Sequence, residues 1–223
     1  MTSLPLSRFL PLVFITAGVV CLGSVILPLG FSFTRYYLFR PPSLIDPLAV
    51  GAPGPRIVNI FGVAAPDYDS ASSWFVSPPV SAPVSSPVKY FTVSYPRLKL
   101  FDVPVEVNGT DLAENAVHYP GTALPGTPGN AVIIGHSALP QFYQSGNPLT
   151  IFNPLPGARV GDDIYVNFDG VNYHYLVHKT SEVDPTAVQV FAQHYDRTEI
   201  TLITCVPLGT YWHRFIVLAE LSD

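Results

Sequence analysis

Cys205 has the setting of a reactive thiol. It ends the alternating run Thr201-Leu202-Ile203-Thr204-Cys205, and the turn-like Val206-Pro207-Leu208-Gly209 follows it. A thiol at the end of a predicted strand, facing a loop, is placed as a nucleophile would be. The chain has 2 cysteines, and the other, Cys21, lies in a long apolar segment. If this domain lies outside the cytoplasm, as the N-terminal segment described below predicts, one unpaired thiol indicates an intermolecular link or a reactive group, and the cysteine count leaves both open.

Two further side chains that a cysteine nucleophile needs also stand at strand ends. His136 follows the apolar run 132–135, and Arg214 opens the last predicted strand, nine residues after Cys205. Histidine can accept or donate a proton near neutral pH. A guanidinium can stabilise the oxyanion of a tetrahedral intermediate. A hairpin returning from the Cys205 turn would bring Arg214 beside the thiol.

These residues belong to a region, residues 88–223, that is predicted to be all-β. Short runs rich in β-forming residues alternate there with turn signals, and the pair Asp169-Gly170 is a strong hairpin signal. Short helical segments are predicted after Ser137 and around Pro185–Phe191. The predicted strands are Lys89–Ser94, Arg97–Phe101, Val103–Val107, Ala131–Gly135, Ile164–Phe168, Val171–His178, Glu199–Thr204 and Phe215–Leu221. Eight short strands favour a barrel or a sandwich, between which their spacing does not choose.

The chain before residue 88 divides into three predicted segments. Residues 1–8 are expected to form a cytoplasmic tail. Residues 9–34 are expected to form an uncleaved transmembrane signal anchor, because no charged residue lies between Arg8 and Arg35 and about 20 apolar residues span a bilayer. A buried core helix or a cleaved leader is the alternative. Residues 35–87, rich in Pro and Ser, read as a semi-extended extracytoplasmic linker.

The short N-terminal tail favours a single-pass protein of the cell membrane with its β domain outside. A net charge of −5 and no basic cluster argue against a nucleic-acid partner. No cofactor is expected. His174 and His178 share a strand face but lack a third zinc ligand. A set of five acidic residues suits ordinary turns as well as calcium, and no metal is predicted; the five are Asp162, Asp163, Asp169, Glu182 and Asp184.

Two other histidines have open roles. His118 either flanks the site or makes a structural hydrogen bond. His213 neighbours Arg214 and is expected to point to the opposite side of its strand.

Five motifs lie in order along the β region: HYPGTALPGTPG at 118–129, GNAVIIGHS at 129–137, VGDDIYV at 160–166, TLITC at 201–205 and RFIVLAEL at 214–221. In their order and in their flanking residues, these motifs resemble those of the sortases, cysteine transpeptidases that attach proteins to the cell wall or to each other. The resemblance covers residues 88–221.

The resemblance implies an eight-stranded β-barrel in which Cys205, His136 and Arg214 converge at one end. Cys205 would attack a peptide sorting signal of a surface protein, often of the Leu-Pro-x-Thr-Gly type, and form a thioester. His136 would protonate the departing amine, and Arg214 would hold the substrate or the oxyanion. Thr204 would add a donor there. An amine of a cell-wall precursor or of a lysine would then resolve the thioester.

The segment between Cys205 and Arg214 is similar to that of the pilin-polymerising class C branch. That branch carries an Asp-Pro-aromatic lid, of which Asp46-Pro47-Leu48 keeps two residues, so the linker is either a lid or a tether. Three other functions compete with transpeptidation. An L,D-transpeptidase has its cysteine in a Ser-x-Gly-Cys context, and a papain-like hydrolase places cysteine before histidine. An anchored β-barrel that only binds gives no reason for the thiol.

Overall fold

The computed structural model describes residues 6–38, 67–79 and 82–222. Helix α1 runs from Leu6 to Leu38 and contains the predicted anchor. Within the described residues, no helix combines the length and the apolar character required to cross a membrane, so the predicted anchor is not confirmed. The candidate lid residues around Asp46 lie outside the described ranges.

The rest of the described chain contains a closed β-barrel of eight strands, which confirms the fold predicted from the resemblance. Around the barrel the order is β1-β2-β3-β4-β7-β8-β6-β5, and β4 pairs with β7 in parallel. The strands are β1 Tyr90–Tyr95, β2 Leu100–Glu106, β3 Ala116–His118, β4 Gly129–Ile134, β5 Asp163–Phe168, β6 Val171–Val183, β7 Thr198–Val206 and β8 His213–Leu221. Short 3-10 helices lie in the connections, including Pro140–Phe142 and Val188–Phe191 as predicted.

The sequence prediction differs from the structure at two strands, one placed partly wrongly and one not predicted. The predicted strand at Arg97–Phe101 is wrong in its first part, since Pro96–Leu98 form a 3-10 turn and Lys99 has a positive φ of 56°. The chain reverses there, and the predicted runs from residue 97 to 107 become the single strand β2. Strand β3 was missed because its three residues are all buried and so show no alternation.

Strands β4, β7 and β8 are buried on both faces, because one apolar layer lies inside the barrel and a second apolar layer lies outside it. Side chains alternate between the faces of a strand. The inward face carries Ile200 and Leu202 and packs in the barrel core. The outward face carries Ile203 and Cys205 and packs against residues that precede the barrel. Because this outer layer contains the thiol, the site lies on the outer face.

Candidate active site

Cys205 and Arg214 face each other across a hairpin. They are directly paired residues of the antiparallel strands β7 and β8. Side chains of directly opposed residues lie on the same face of a sheet, so both project outward. Cys205 is 1% exposed and Arg214 is also 1% exposed. The hairpin predicted from the sequence therefore brings these two residues side by side.

His136 approaches Cys205 from the other side, across the parallel pair of β4 and β7. Ile134 is paired with Ile203, so two further residues along each strand bring His136 level with Cys205. The outward face of β4 carries the even-numbered residues, and the His136 side chain is buried at 6% exposure. A Cβ on Gly135 would lie 2.6 Å from the Phe152 ring, which explains the glycine before the histidine.

Residues 67–79, here called the strap, lie over these three side chains. A short backbone bridge joins the strap to the loop before β3, with Ala71 N–H donating to Thr110 at 2.9 Å and Leu112 N–H to Asp69 at 2.7 Å. Trp74 of the strap is fully buried. The strap therefore excludes solvent from the thiol.

The Arg214 guanidinium donates hydrogen bonds to main-chain carbonyls. Its Nε and Nη2 donate to the carbonyl of Trp74 at 2.9 and 2.5 Å. Its Nη1 donates to the carbonyls of Tyr211 and His213 at 3.0 and 3.2 Å. The carbon of the guanidinium also lies 5.3 Å from the Trp74 ring centroid. A fork that holds one peptide carbonyl of the strap has the geometry to hold a peptide carbonyl of a substrate.

The strap also contacts His136. Nε2 of His136 lies 3.3 Å from Oδ1 of the strap residue Asp69, whose side chain is 64% exposed. Among the described residues no group completes a hydrogen bond to this nitrogen, so the contact with Asp69 is electrostatic. The Trp74 ring lies 5.5 Å from the imidazole, tilted by 55°. Sequence reasoning missed Asp69, and its exposed position in a polar loop gave no signal.

Burial keeps the Cys205 thiol and the His136 imidazole neutral under the strap. Burial raises the pKa of the Cys205 thiol to about 12, although the Arg214 guanidinium acts in the opposite direction. Burial also lowers the pKa of His136, while the carboxylates of Asp69 and Asp111 oppose that decrease. Near pH 7 the thiol is therefore protonated and the imidazole is mostly uncharged, which is an unreactive state.

Two residues beside this pair have specific contacts. The Thr204 hydroxyl donates to the carbonyl of Gly135 at 2.9 Å, on the face opposite to Cys205. Ser137, which sequence reasoning missed, donates from Oγ to the carbonyl of Cys205 at 2.7 Å. Its position directly after His136 is the signal that would have found it. Ser137 ties the histidine loop to the end of β7.

Three other histidines have structural partners. Fully buried His118 has Nε2 at 2.8 Å from the Ala123 carbonyl, and burial lowers its pKa to about 4. His174 lies 2.8 Å from Asp163, and His178 lies 3.4 Å from buried Glu199. The His118 ring packs 6.3 Å from the Phe91 ring on the barrel-core side, so the structural alternative holds.

His213 and the acidic residues do not form a metal centre in the described part of the chain. His213 Nδ1 lies 3.0 Å from Asp184, consistent with its expected direction away from Arg214. Asp162, one of the possible calcium ligands, instead accepts from the Tyr95 hydroxyl at 2.7 Å and pairs with Arg97 at 2.6 Å. The described residues contain no group of three or more ligand-type side chains placed to hold a metal ion.

Comparison with known proteins places this arrangement in one family. A family model described as the sortase domain matches residues 92–222. Sortase A of Bacillus anthracis is 32% identical over 93 residues, which are 42% of this chain and 40% of that protein. Sortase A of Streptococcus agalactiae serotype III is 28% identical over 117 residues, 52% of this chain and 45% of that protein. The matched segments thus span less than half the length of these curated relatives.

Solved structures show the same similarity. A lid mutant of sortase A from Corynebacterium diphtheriae superposes with a TM-score of 0.53 at 31% identity, covering 61% of this chain and 71% of that one. Sortase C-1 from Actinomyces oris superposes with a TM-score of 0.52 at 29% identity, covering 60% and 73%. Both class A and class C structures are therefore similar to this chain, and the subclass is not assigned.

Proposed function

Because the chain belongs to the sortase family, we propose that it is a cysteine transpeptidase that cuts a peptide and joins the acyl fragment to an amine. The observation that carries the proposal is the alignment of three outward-facing residues at one end of three neighbouring strands, with Cys205 on β7, Arg214 on β8 and His136 just after β4. Cys205 is paired with Arg214 on one side and is level with His136 on the other. The thiol, the acid–base group and the oxyanion donor that acyl transfer needs are thus adjacent.

The proposed first half-reaction forms a thioester. A proton passes from the thiol to His136, and the thiolate of Cys205 attacks the scissile carbonyl of a peptide sorting signal. The carbonyl oxygen becomes an oxyanion, to which Arg214 donates through its guanidinium. When the C–N bond breaks, His136 gives its proton to the departing amine.

The second half-reaction reverses these roles. An incoming amine attacks the thioester and loses a proton to His136. The C–S bond breaks, and the leaving thiolate of Cys205 takes the proton back from His136, which regenerates the thiol and the neutral imidazole. The product is an amide between the acyl fragment and the amine. The amine belongs to a cell-wall precursor or to a lysine of a partner protein. Supporting roles for Thr204, and attachment to the cell membrane through residues 9–34 with the barrel outside, stay predictions.

A peptide library tests this function directly. The full chain is incubated with peptides of the Leu-Pro-x-Thr-Gly pattern and close variants, together with triglycine, diaminopimelate or a lysine peptide as amine. We expect at least one peptide to be cleaved inside the motif and to reappear as an amide of one amine, detected by mass spectrometry. Binding of peptides without any cleavage would contradict the proposed function and favour a binding module.

The proposed function includes a lid role for the strap. Arg214 holds the Trp74 carbonyl where a substrate carbonyl is needed, and the Phe75 and Phe191 rings pack at 5.0 Å over the outer face. A peptide can reach Cys205 only after these contacts are released. The strap also keeps the thiol protonated, so its release both opens the site and lowers the pKa of Cys205.

Removal of one strap anchor is expected to activate the thiol. Phe75→Ala deletes a buried ring that packs on Phe191, and large-to-small changes of this kind cost about 3–5 kcal/mol when the site cannot collapse. Only part of that cost needs to favour strap opening for alkylation of Cys205 by iodoacetamide to accelerate roughly tenfold or more. The rate is measured by peptide mass spectrometry, which separates Cys205 from Cys21.

The pH dependence of alkylation supplies a second readout. In the parent chain the raised thiol pKa means that the rate still increases above pH 9. In Phe75→Ala the midpoint should move down, because less burial favours the thiolate. Phe142→Ala, which removes a ring that is 62% exposed, is the matched control. Equal rates in the parent and Phe75→Ala chains would contradict the lid.

A further inference from the structure

The connection between β6 and β7, residues 184–197, is held against the barrel by the amide of Gln193. Its Oε1 accepts from the backbone N–H groups of Ala123 at 3.2 Å and Asn130 at 3.0 Å. Its Nε2 donates to the carbonyls of Asn130 and Phe191, both at 3.0 Å. Two donated and two accepted bonds use the full capacity of a carboxamide, so Gln193 acts as a strand-like partner of Asn130.

Asn130 completes the attachment from the β4 side. Its side-chain Nδ2 donates to the carbonyl of Val190 at 3.1 Å, and its Oδ1 accepts from the Thr201 hydroxyl at 2.7 Å. Gly129 precedes it with a φ of +121°, and a Cβ there would lie 2.8 Å from Oε1 of Gln193. We call the pair Gln193 and Asn130 the amide clamp.

The amide clamp determines where Phe191 lies. The Phe191 ring is 5.0 Å from Phe75 of the strap and 4.5 Å from Tyr119, in the same outer layer as Cys205. Strand β4 runs from Asn130 on to Ile134, two residues before His136. The clamp therefore fixes an aromatic ring of an irregular connection relative to the strand that leads to the catalytic histidine.

We propose that Gln193 is a positioning residue for peptide recognition, holding Phe191 as a pre-ordered wall of the site that the strap now covers. The proposal rests on the proposed function and adds the residue that prepares the site for its peptide. Irregular connections are mobile unless tied down. A wall that must be ordered during binding weakens affinity by the cost of ordering it, and a pre-ordered wall avoids that cost.

Two substitutions test the clamp. Gln193→Ala removes all four hydrogen bonds, and Gln193→Glu keeps the shape and both accepted bonds while losing both donors. In each variant we expect amide exchange in residues 187–193 to accelerate by about tenfold. We expect KM for a Leu-Pro-x-Thr-Gly peptide to rise by about tenfold while kcat changes less than about twofold. A defect in folding alone would not raise KM while leaving kcat nearly unchanged.

Gln189→Ala is the matched control, because Gln189 is an exposed residue of the 3-10 helix that carries Phe191. Its exchange and KM should equal those of the parent chain. Unchanged exchange and KM in both Gln193 variants would overturn the proposal. So would a loss confined to kcat, since the residue would then serve the chemistry and not recognition.

Peptide binding separates this proposal from the proposed function. The same Leu-Pro-x-Thr-Gly peptide is titrated into Cys205→Ala chains with and without Gln193→Ala, where no acyl transfer can occur. A Kd that is about tenfold higher with Gln193→Ala supports the clamp whether or not the parent chain shows turnover. Equal Kd values overturn the clamp even if transpeptidation is demonstrated.

Discussion

Cys205→Ala is expected to abolish both peptide cleavage and amide formation, a loss of roughly 10^4-fold or more in kcat/KM. The reason is that the thiolate is the atom to which the acyl group is transferred, and alanine offers no nucleophile in its place. Cys205 is also small and buried, so the substitution removes one sulfur atom without changing the strand pairing. Product formation is followed by chromatography with the peptide and amine selected from the library.

Cys21→Ala is the matched control for the loss of a thiol. Cys21 is exposed on helix α1, so its substitution by alanine should leave kcat/KM unchanged. The thermal midpoints of both variants should remain close to that of the parent chain. Retention of a few per cent of the activity by Cys205→Ala would contradict the assigned nucleophile, because the one thiol left in that variant is the exposed Cys21 of helix α1, for which no part in the reaction is expected.

Arg214→Lys is expected to lower kcat/KM by roughly 10^2- to 10^3-fold while the positive charge is kept. The guanidinium directs Nε and Nη2 at one carbonyl oxygen, that of Trp74 in the closed site. A lysine ammonium is a point charge on a flexible stem and cannot present two fixed donors to one oxyanion. The loss should fall mainly on kcat, since the oxyanion develops only in the transition state.

Stability must be measured with this variant, because Arg214 is buried and its Nη1 also binds two carbonyls of its own hairpin. Circular dichroism and the thermal midpoint establish whether the barrel is intact. Activity of a folded Arg214→Lys chain within threefold of the parent would show that charge alone suffices. The forked-donor role would then be wrong.

Much of the barrel was predictable because its strands alternate in a way that reports one buried and one exposed face. Strand β5, for example, is alternately exposed and buried along its whole length. The hairpin that pairs Cys205 with Arg214 follows from the turn between them. The short strand β3 was not predictable, since a three-residue strand buried on both sides has no period to detect.

The cover over the site was the part that sequence reasoning could not supply. The contact between Arg214 and the strap is made to a backbone carbonyl, which every residue has, so Trp74 carries no sign of it. Asp69 reaches His136 only because residues 69–71 pair with the loop before β3. Gln193 likewise looks like a polar loop residue until its four backbone partners are brought together.

The most direct test of the account is the mass of the acyl-enzyme. The parent chain is mixed with the selected peptide without any amine, quenched in acid, and analysed intact and after digestion. We expect an added mass equal to the N-terminal peptide fragment, located on the segment containing Cys205 and removed by hydroxylamine, as a thioester requires. Formation of cleaved product with no adduct on Cys205, or with an adduct elsewhere, would contradict the account.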